Sequence, residues 1–445
     1  MKTNATVDVK QFINDRPMSG YQWLILAICF LIVAVDGMDV AIMGFLAPAV
    51  IKEWGISKAT FGMVMSAAPF GLVIGALVAG PLSDRVGRKK VLLASVATFG
   101  VFTLLTGFAQ SVSAMAVLRL LTGVGLGAAM PNASTLLTEY VPEQRRAFLV
   151  TLMFTGFNLG SAAIGFMAAG LLPDHGWRSV LVVGGVLPLL LTPVIWALLP
   201  ESVRFMAVRQ HAAEQIAQVL GKVAGQPLPA GTTFTSPEVA QVSKTPVKQL
   251  FARGFAGMSV ALWVTYFMGL MVIYLLTGWL PTLFKENGLS MSEAANVTAM
   301  FQLGGTVGAV IVGWFMDRLA PTRVISLAYL GGAASVVTLG LAANSMGSLA
   351  LWVTLAGFCM SGAQTGLNAY APSCYPTASR ATGVSWMLGM GRFGSITGSM
   401  VGGVLLGLGW SFGHILGMLA IPAALAAIAI FASRQAPSAP ELAAQ

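Results

Sequence analysis

Residues 80–90 read Gly-Pro-Leu-Ser-Asp-Arg-Val-Gly-Arg-Lys-Lys and follow the second of many long apolar segments. The pattern Gly-x-x-x-Asp-Arg returns at residues 313–318, which is 233 positions later and again follows an apolar segment. Two further pairs keep nearly the same spacing: Gly156 with Gly389, and Pro-x-x-x-Arg-Ala at 142–147 with 376–381. Three coincidences at one spacing indicate an internal duplication, as in membrane proteins built from parallel repeats.

The composition around this repeat is that of a membrane protein. The chain has 445 residues, of which 56% are hydrophobic and only 9% are charged, whereas soluble domains carry about 25% charged residues. We predict an all-α integral membrane fold of twelve transmembrane helices in two pseudo-symmetric six-helix bundles. The predicted spans are 21–50, 59–80, 91–109, 113–137, 147–172, 179–199, 254–284, 292–316, 323–343, 348–372, 381–408 and 411–432.

The polar stretches divide the chain. Residues 1–20 are predicted to be a cytoplasmic tail, 21–199 the first bundle, 200–253 a cytoplasmic linker, 254–432 the second bundle and 433–445 a second cytoplasmic tail. Within the linker, 203–220 fits a surface helix, and the prolines that follow are typical of an extended connection.

The positive charge is distributed unevenly. On this assignment 19 of the 25 Lys and Arg residues lie on one side of the membrane and four on the other. The asymmetry follows the positive-inside rule and places both termini in the cytoplasm. The net charge of +9 therefore needs no nucleic-acid partner, and the partners we expect are the lipid bilayer and a small solute.

Two acids lie three positions apart inside the first span, Asp36 and Asp39. A carboxylate near the bilayer centre costs about 3 kcal/mol on insertion scales, which makes each a functional candidate. A helix presents both on one side, and burial favours the neutral form of a carboxyl group. We predict proton coupling at this pair. The alternative is that one acid only pairs with a neighbouring helix.

Two arginines are predicted inside spans. Arg119 lies about two turns into the fourth span, where it can pair with Asp36 or Asp39, or extend to the membrane edge. Arg392 lies near the middle of the eleventh span, and no second-half span has an acid in its interior to neutralise it, since Glu293 is only the second residue of its span. A planar guanidinium there can bind a carboxylate through two hydrogen bonds. Pairing of Arg392 with the acids of the first span is the alternative.

Several uncharged side chains are candidate ligands. Trp263, Tyr266 and Trp386 can form flat walls for an aromatic ring, and the neutral donors are Gln302, Gln364, Asn158 and Asn368. Each of them can equally serve helix packing or the interfacial belt.

The repeated loop carries a candidate conformational gate. Asp84 can pair with the arginines of its loop, Arg85 and Arg88, and with a helix N-terminus of the other bundle, latching one conformation. The alternative is that the basic residues only set the topology. Glu139, before Tyr-Val-Pro at 140–142, belongs to the same end of the molecule.

Other chemistries have no candidate residues in the sequence. The three cysteines and three histidines show neither metal-ligand nor catalytic spacing. The sequence contains no phosphate-binding loop, so ATP hydrolysis is excluded as the energy source. We therefore expect no catalytic residues, no metal and no cofactor, and an ion or substrate gradient as the driving force.

The 80–90 loop and its repeat resemble the major facilitator superfamily. The chain is similar in particular to the aromatic acid:proton symporters, through Asp-Gly-Met-Asp at 36–39, residues 119–132, Pro-Glu-Ser-Val-Arg-Phe at 200–205, Gly-Trp-Leu-Pro at 278–281 and 380–386. The resemblance implies import of a hydroxylated benzoate, such as 4-hydroxybenzoate or protocatechuate, with a proton, by alternating access in a bacterial inner membrane. It implies functional importance for Asp36, Asp39, Asp84, Arg119, Glu139, Asp317, Arg380 and Arg392, and Arg318 follows Asp317 in the second copy of the loop.

The second copy departs from the pattern, because Leu-Ala-Pro at 319–321 replaces the glycine and the basic residues. We expect Asp84 to be the stronger latch of the two. The remaining alternatives are a proton-coupled exporter of another organic anion or a drug, and a membrane sensor of aromatic acids. We do not expect the protein to be an enzyme. We expect it to be a monomer.

Overall fold

The computed structural model describes residues 6–209, 212–228, 232–235, 255–342, 345–375 and 377–433. The undescribed part includes residues 1–5 and 434–445 of the predicted tails, residues 210–211, 229–231 and 236–253 of the predicted linker, residue 254 of the predicted second bundle, and the side chain of Arg380.

The first half of the chain forms one short strand and six helices. They are β1 (Thr6–Asp8), α1 (Val9–Asn14), α2 (Gly20–Trp54), α3 (Lys58–Val86), α4 (Arg88–Thr106), α5 (Val112–Tyr140) and α6 (Glu143–Leu198). The connection between the halves contains α7 (Val203–Val208), α8 (Ala213–Ala224) and β2 (Thr233–Thr235).

The second half consists of helices. They are α9 (Ala256–Glu286), α10 (Met291–Met316), α11 (Pro321–Ala342), α12 (Met346–Tyr370), a 3-10 turn at Ala371–Cys374, α13 (Thr377–Gly407) and α14 (Phe412–Ala432).

These helices account for twelve membrane crossings. Among the described residues, 10 helices are long and apolar enough to span a bilayer. One of them, α6, has 56 residues and contains a non-helical break at Gly176, where φ is 71° and ψ is 175°. At about 1.5 Å per residue each part of α6 is long enough for a crossing, and the 31-residue α13 supplies the last. The predicted fold class is confirmed.

Local signals define where neighbouring crossings end and begin. Gly55 ends α2 in a left-handed conformation with φ of 60°, and the Ser57 side chain caps the first turn of α3. Ser290 and Glu293 form a capping box that starts α10. Such caps satisfy the free backbone groups of helix ends, so the connections here can be very short.

Close helix contacts repeat between the halves at the spacing of the sequence motifs. A Cβ added to Gly123 would overlap the Ala68 carbonyl, and one added to Gly357 would overlap the Phe301 carbonyl. The same relation holds for Gly160 on Ala34 and for Gly394 on Phe267. Small residues let membrane helices approach backbone to backbone. The duplication therefore extends from the sequence to the packing.

The two halves are in contact at one end of the bundle. There Lys58 pairs with Glu286, and a Cβ on Gly44 would overlap the backbone of α9 at Thr277. At the other end, which we call the basic end because it carries residues 85–90, a Cβ on Gly80, Gly313 or Gly389 would meet nothing within 4 Å. The contacts between the halves named here therefore lie away from the basic end, and open space surrounds these three glycines.

The N-terminal residues are more ordered than a polar tail. Strand β1 pairs in parallel with β2 of the connection, with Val7 opposite Phe234. Helix α1 buries Phe12 and Ile13, and Lys10 pairs with Glu143 at 2.9 Å. The connection carries two short helices where the sequence suggested one over 203–220. These segments form a cap on the basic end of the first half.

Candidate functional site

Asp39 and Arg119 form a closed ion pair inside the first half. Arg119 Nη1 donates to Asp39 Oδ1 at 3.0 Å and Nη2 donates to Oδ2 at 2.7 Å. Nη2 also lies 3.2 Å from the Asp39 carbonyl oxygen, and the Thr103 hydroxyl donates to Oδ1. Both charged residues are 1% exposed. Two parallel hydrogen bonds neutralise a buried carboxylate, so this pair is stable without a ligand.

Asp36 lies one turn before Asp39 on α2 and has a different environment. It is 2% exposed, and no hydrogen bond in the described part of the chain involves its carboxylate. Its strongest charge interaction is an attraction to Arg392 of the second half, and the second is a repulsion from Asp39. Asp36 is thus a buried acid that faces the other bundle without a hydrogen-bonded partner.

Arg392 is held on α13 between the two halves. Its side chain lies near the hydroxyl groups of Tyr274 and Tyr266 on α9. The residue before it is a glycine, and a Cβ on Gly391 would overlap the Tyr266 ring. The missing side chain therefore lets α9 bring Tyr266 close to the arginine.

Helices α9 and α13 also carry a pair of stacked tryptophans. Trp263 of α9 and Trp386 of α13 have ring centroids 5.7 Å apart and an interplanar angle of 20°. Trp386 is 44% exposed, and Tyr266, three residues after Trp263, is 6% exposed. We call these three side chains the aromatic wall. Their flat faces suit an aromatic ring, and the guanidinium of Arg392, six residues after Trp386 on α13, suits a carboxylate.

The neutral candidates divide into two groups. Gln364 and Asn368 lie beside the Tyr266 hydroxyl, toward the basic end. Gln302 instead donates to Thr277 at 3.2 Å, where α9 meets the first half. The structure therefore does not bring Gln302 together with Arg392 and the aromatic wall.

A small cavity lies between the two halves, where α9 meets the first half. It has a volume of about 30 Å³ and is lined from both halves, by Arg119 and Leu126 and by Tyr274, Thr277 and Ser399 among others. This volume is enough for one or two waters. Arg119 is thus in contact with the interface between the halves, although its charge is committed to Asp39.

The gate candidates of the first half form one network at the basic end. Arg88 pairs with Asp84 at 3.3 Å and with Glu139 at 3.2 Å. Glu139 also accepts a hydrogen bond from Ser202. Glu201 accepts from the backbone N–H groups of Arg88 and Lys89, at 2.8 and 3.1 Å, which places a carboxylate at the N-terminus of α4.

Among the described residues, this network joins the first half to the start of the connection and includes no residue of the second half. The side chain of Asp84 is 71% exposed, and Arg85 is exposed as well. Gly87 allows the approach of Glu201, because its φ is 105° and a Cβ there would overlap the Glu201 carboxylate.

The second half does not repeat the network in its described part. Asp317 is exposed and has no ion pair there, and Arg318 lies 3.8 Å over the ring of Trp314, whose carbonyl accepts from its Nη1. The lost glycine and basic residues after Asp317 are consistent with this difference.

Sequence reasoning missed Tyr274, Thr103 and Tyr329. Tyr274 follows Tyr266 by eight residues, which places it about 80° around the helix from Tyr266, so periodicity alone did not single it out. Thr103 and Tyr329 carry no local signal, because their partners Asp39 and Gln364 lie on other helices.

Comparisons with known proteins agree on one family. The model of the Major Facilitator Superfamily matches residues 29–295 and 262–445. A gallate transporter of Pseudomonas putida is 55% identical over 433 residues, which is 97% of this chain and 96% of that protein. A 4-hydroxybenzoate transporter of the same species is 50% identical over 426 residues, covering 96% and 95%.

A solved structure supports the fold independently. The crystal structure of a D-xylose-proton symporter matches with a TM-score of 0.74 at 16% sequence identity, and covers 94% of this chain and 99% of that one. At this identity the likeness shows the fold alone, with its two halves of six helices.

Proposed function

Because the chain belongs to the major facilitator superfamily, and within it to the aromatic acid transporters, we propose that it imports a hydroxylated benzoate together with a proton. It is a membrane transporter and not an enzyme. Its relatives are named for gallate and for 4-hydroxybenzoate, and we place 4-hydroxybenzoate, protocatechuate and gallate in the substrate class.

The observation that carries this proposal is the position of Arg392. Within the described residues, the mid-membrane ion pair is the one between Asp39 and Arg119, and Arg392 has no carboxylate at ion-pair distance. It stands instead half-buried at the interface between the halves, near the hydroxyl groups of Tyr266 and Tyr274. A guanidinium within the membrane needs an anion, and a substrate carboxylate can supply it.

Asp36 and the substrate then compete for one cation. In the empty site the Asp36 carboxylate balances Arg392. When a substrate carboxylate binds Arg392, a second anion beside it is unfavourable, and protonation of Asp36 removes that cost. The Asp39–Arg119 pair is neutral throughout.

This competition sets the stoichiometry. The empty and the loaded site both have zero net charge. The transporter can therefore change between its inward-facing and outward-facing conformations with the site either empty or loaded. We therefore expect one proton per monoanionic substrate and uptake that is electroneutral. The proton gradient supplies the energy in this scheme, with no resident cofactor.

We assign the basic end to the cytoplasm of a bacterial inner membrane, with both termini on that side. The described conformation is then inward-facing. Alternating access requires the halves to rock until the basic end closes. We propose that Asp84, Arg85, Arg88 and Glu139 form the first-half side of that gate, with Asp317, Arg318 and Arg380 on the second-half side, in a protein that works as a monomer.

The test is uptake of labelled 4-hydroxybenzoate into vesicles with an imposed pH gradient. We expect uptake when the outside is acidified, loss of uptake with a protonophore, and no drive from a potassium–valinomycin potential at zero pH gradient. Uptake that ignores the pH gradient would contradict proton coupling, and efflux against the substrate gradient would favour an exporter.

A further inference from the structure

Gln364 has an unusual position beside the proposed substrate site. It lies on α12, is 7% exposed, and its Oε1 accepts a hydrogen bond from the Tyr329 hydroxyl of α11 at 2.7 Å. Tyr329 is completely buried. The amide oxygen is therefore held by a buried hydroxyl of the neighbouring helix.

The other end of this amide lacks a partner. Gln364 Nε2 is buried and has no hydrogen bond in the described part of the chain. Leaving a buried donor unsatisfied costs about 1–3 kcal/mol, so such a group is expected to have a partner in some state of the protein. Tyr266 and Asn368 are the polar side chains beside it, and Asn368 is exposed.

Two glycines make room for this arrangement. A Cβ on Gly269 would overlap both Gln364 Oε1 and the Tyr329 hydroxyl, and a Cβ on Gly391 would overlap the Tyr266 ring. Gly391 directly precedes Arg392. The unsatisfied donor therefore belongs to the same wall as the arginine, with Tyr266 between the two.

We propose that Gln364 recognises a ring hydroxyl of the substrate, with Tyr329 as the residue that positions it. This inference rests on the proposed function. A benzoate whose carboxylate is bound by Arg392 directs its opposite ring position along the Tyr266 wall. A phenolic hydroxyl both donates and accepts hydrogen bonds, so it can accept from Nε2. An unsubstituted benzoate leaves Nε2 unsatisfied.

The substrate class follows from this pairing. Sites that hydrogen-bond a substrate hydroxyl reject the analogue lacking it, because their own polar group is then left unpaired. The transporter should select hydroxybenzoates over benzoate, and it should prefer a hydroxyl opposite the carboxylate to one adjacent to it.

The experiment measures dissociation constants of 4-hydroxybenzoate, 2-hydroxybenzoate and benzoate for the purified full chain. In the wild type we expect 4-hydroxybenzoate to bind about tenfold more tightly than benzoate, the effect of one hydrogen bond and one relieved donor. Gln364→Leu should bring the two within about twofold, through weaker binding of 4-hydroxybenzoate while benzoate is unchanged. Tyr329→Phe should give an intermediate ratio.

The matched control is Thr354→Val on the same helix, whose hydroxyl only donates to the Ala350 carbonyl; its ratio should equal that of the wild type. If Gln364→Leu does not accumulate, the ratio of the two dissociation constants is measured in Gln364→Asn and Tyr329→Phe instead. A wild-type ratio in these variants would overturn the role of Gln364 and leave the proposed function intact. Absence of binding of all three acids to the wild type would overturn both.

Discussion

The two membrane-embedded arginines have opposite surroundings, although each lies near an acid of α2. Arg119 is buried and donates two hydrogen bonds to the Asp39 carboxylate, which also accepts one from the Thr103 hydroxyl. Arg392 has only the longer-range attraction of Asp36 and hydroxyl groups around it. A satisfied pair stabilises the bundle, whereas an unsatisfied one leaves a position for a ligand. The first is therefore structural and the second is the proposed working site.

The largest difference between the two acids should be in stability. Asp39→Asn leaves the Arg119 charge buried and uncompensated, which should cost about 3–5 kcal/mol. We expect poor accumulation and a much lower unfolding temperature in detergent, and partial recovery in the double variant Asp39→Asn/Arg119→Met.

The exposed pair of Glu53 and Arg178, 2.6 Å apart at the membrane edge, provides the control. Glu53→Gln should cost no more than about 1 kcal/mol. If Asp39→Asn is as stable as Glu53→Gln, the interpretation of the Asp39–Arg119 pair as structural fails.

The next effect concerns coupling. Asp36→Asn removes the competitor of the substrate and the proton carrier together, so accumulation driven by a pH gradient should fall at least tenfold, about 1.4 kcal/mol or more. Exchange of internal for external substrate should continue. In the wild type, substrate binding should weaken as pH rises, because the Asp36 carboxylate returns as a competing anion, and in Asp36→Asn this pH dependence should vanish.

Stability again separates the two acids, because the cation that Asp36→Asn leaves without its acid, Arg392, is only half-buried and forms no close ion pair with Asp36. We expect its unfolding free energy to lie within about 1 kcal/mol of the wild type. A severe loss of stability would show that Asp36 is a second structural acid.

A smaller effect is expected from a conservative change at the second arginine. Arg392→Lys keeps the charge but loses the planar fork that binds a carboxylate through two hydrogen bonds, so the affinity for 4-hydroxybenzoate should fall about tenfold. Arg323→Lys, at an exposed position of the basic end, is the control. Equal dissociation constants for wild type and Arg392→Lys would refute bidentate binding.

The smallest effect should come from Tyr274, whose hydroxyl lies near Arg392. Tyr274→Phe removes a hydroxyl that can hydrogen-bond the guanidinium when substrate is bound, which should weaken substrate binding about fivefold. Ser395→Ala on α13, whose hydroxyl donates to the Arg392 carbonyl at 2.7 Å, is the control and should bind like the wild type. A Tyr274→Phe affinity equal to that of Ser395→Ala would remove Tyr274 from the site.

The fold was predictable because its signals are local or repeated. Long apolar segments predict the crossings, and the motif at 80–85 and 313–318 predicts the duplication, which also appears in the contacts of Gly123 and Gly357. The strand and helix formed by the N-terminal residues were not predictable. The parallel pairing of Val7 with Phe234 joins residues far apart in the chain, and nothing in either segment specifies the partner.

The sequence predicts which charged residues belong to the site, but it does not predict which acid pairs with which arginine. Three residues along a helix turn a side chain by about 60° from the first, so Asp36 and Asp39 can face different neighbours, and only the packing assigns Arg119 to Asp39. The two glutamines present the same problem. Gln302 and Gln364 are both buried polar residues of the second half. Gln302 donates a hydrogen bond to Thr277, whereas Gln364 Nε2 has no hydrogen bond in the described part of the chain.

The central claim is that Asp36 and the substrate carboxylate compete for Arg392, and proton uptake on binding tests it most directly. Purified transporter in weakly buffered detergent solution, with a pH indicator, is titrated with 4-hydroxybenzoate at neutral pH. We predict uptake of about one proton for each substrate bound by the wild type, and none by Asp36→Asn, which still binds. Binding to the wild type without proton uptake, or the same uptake in Asp36→Asn, would contradict the account.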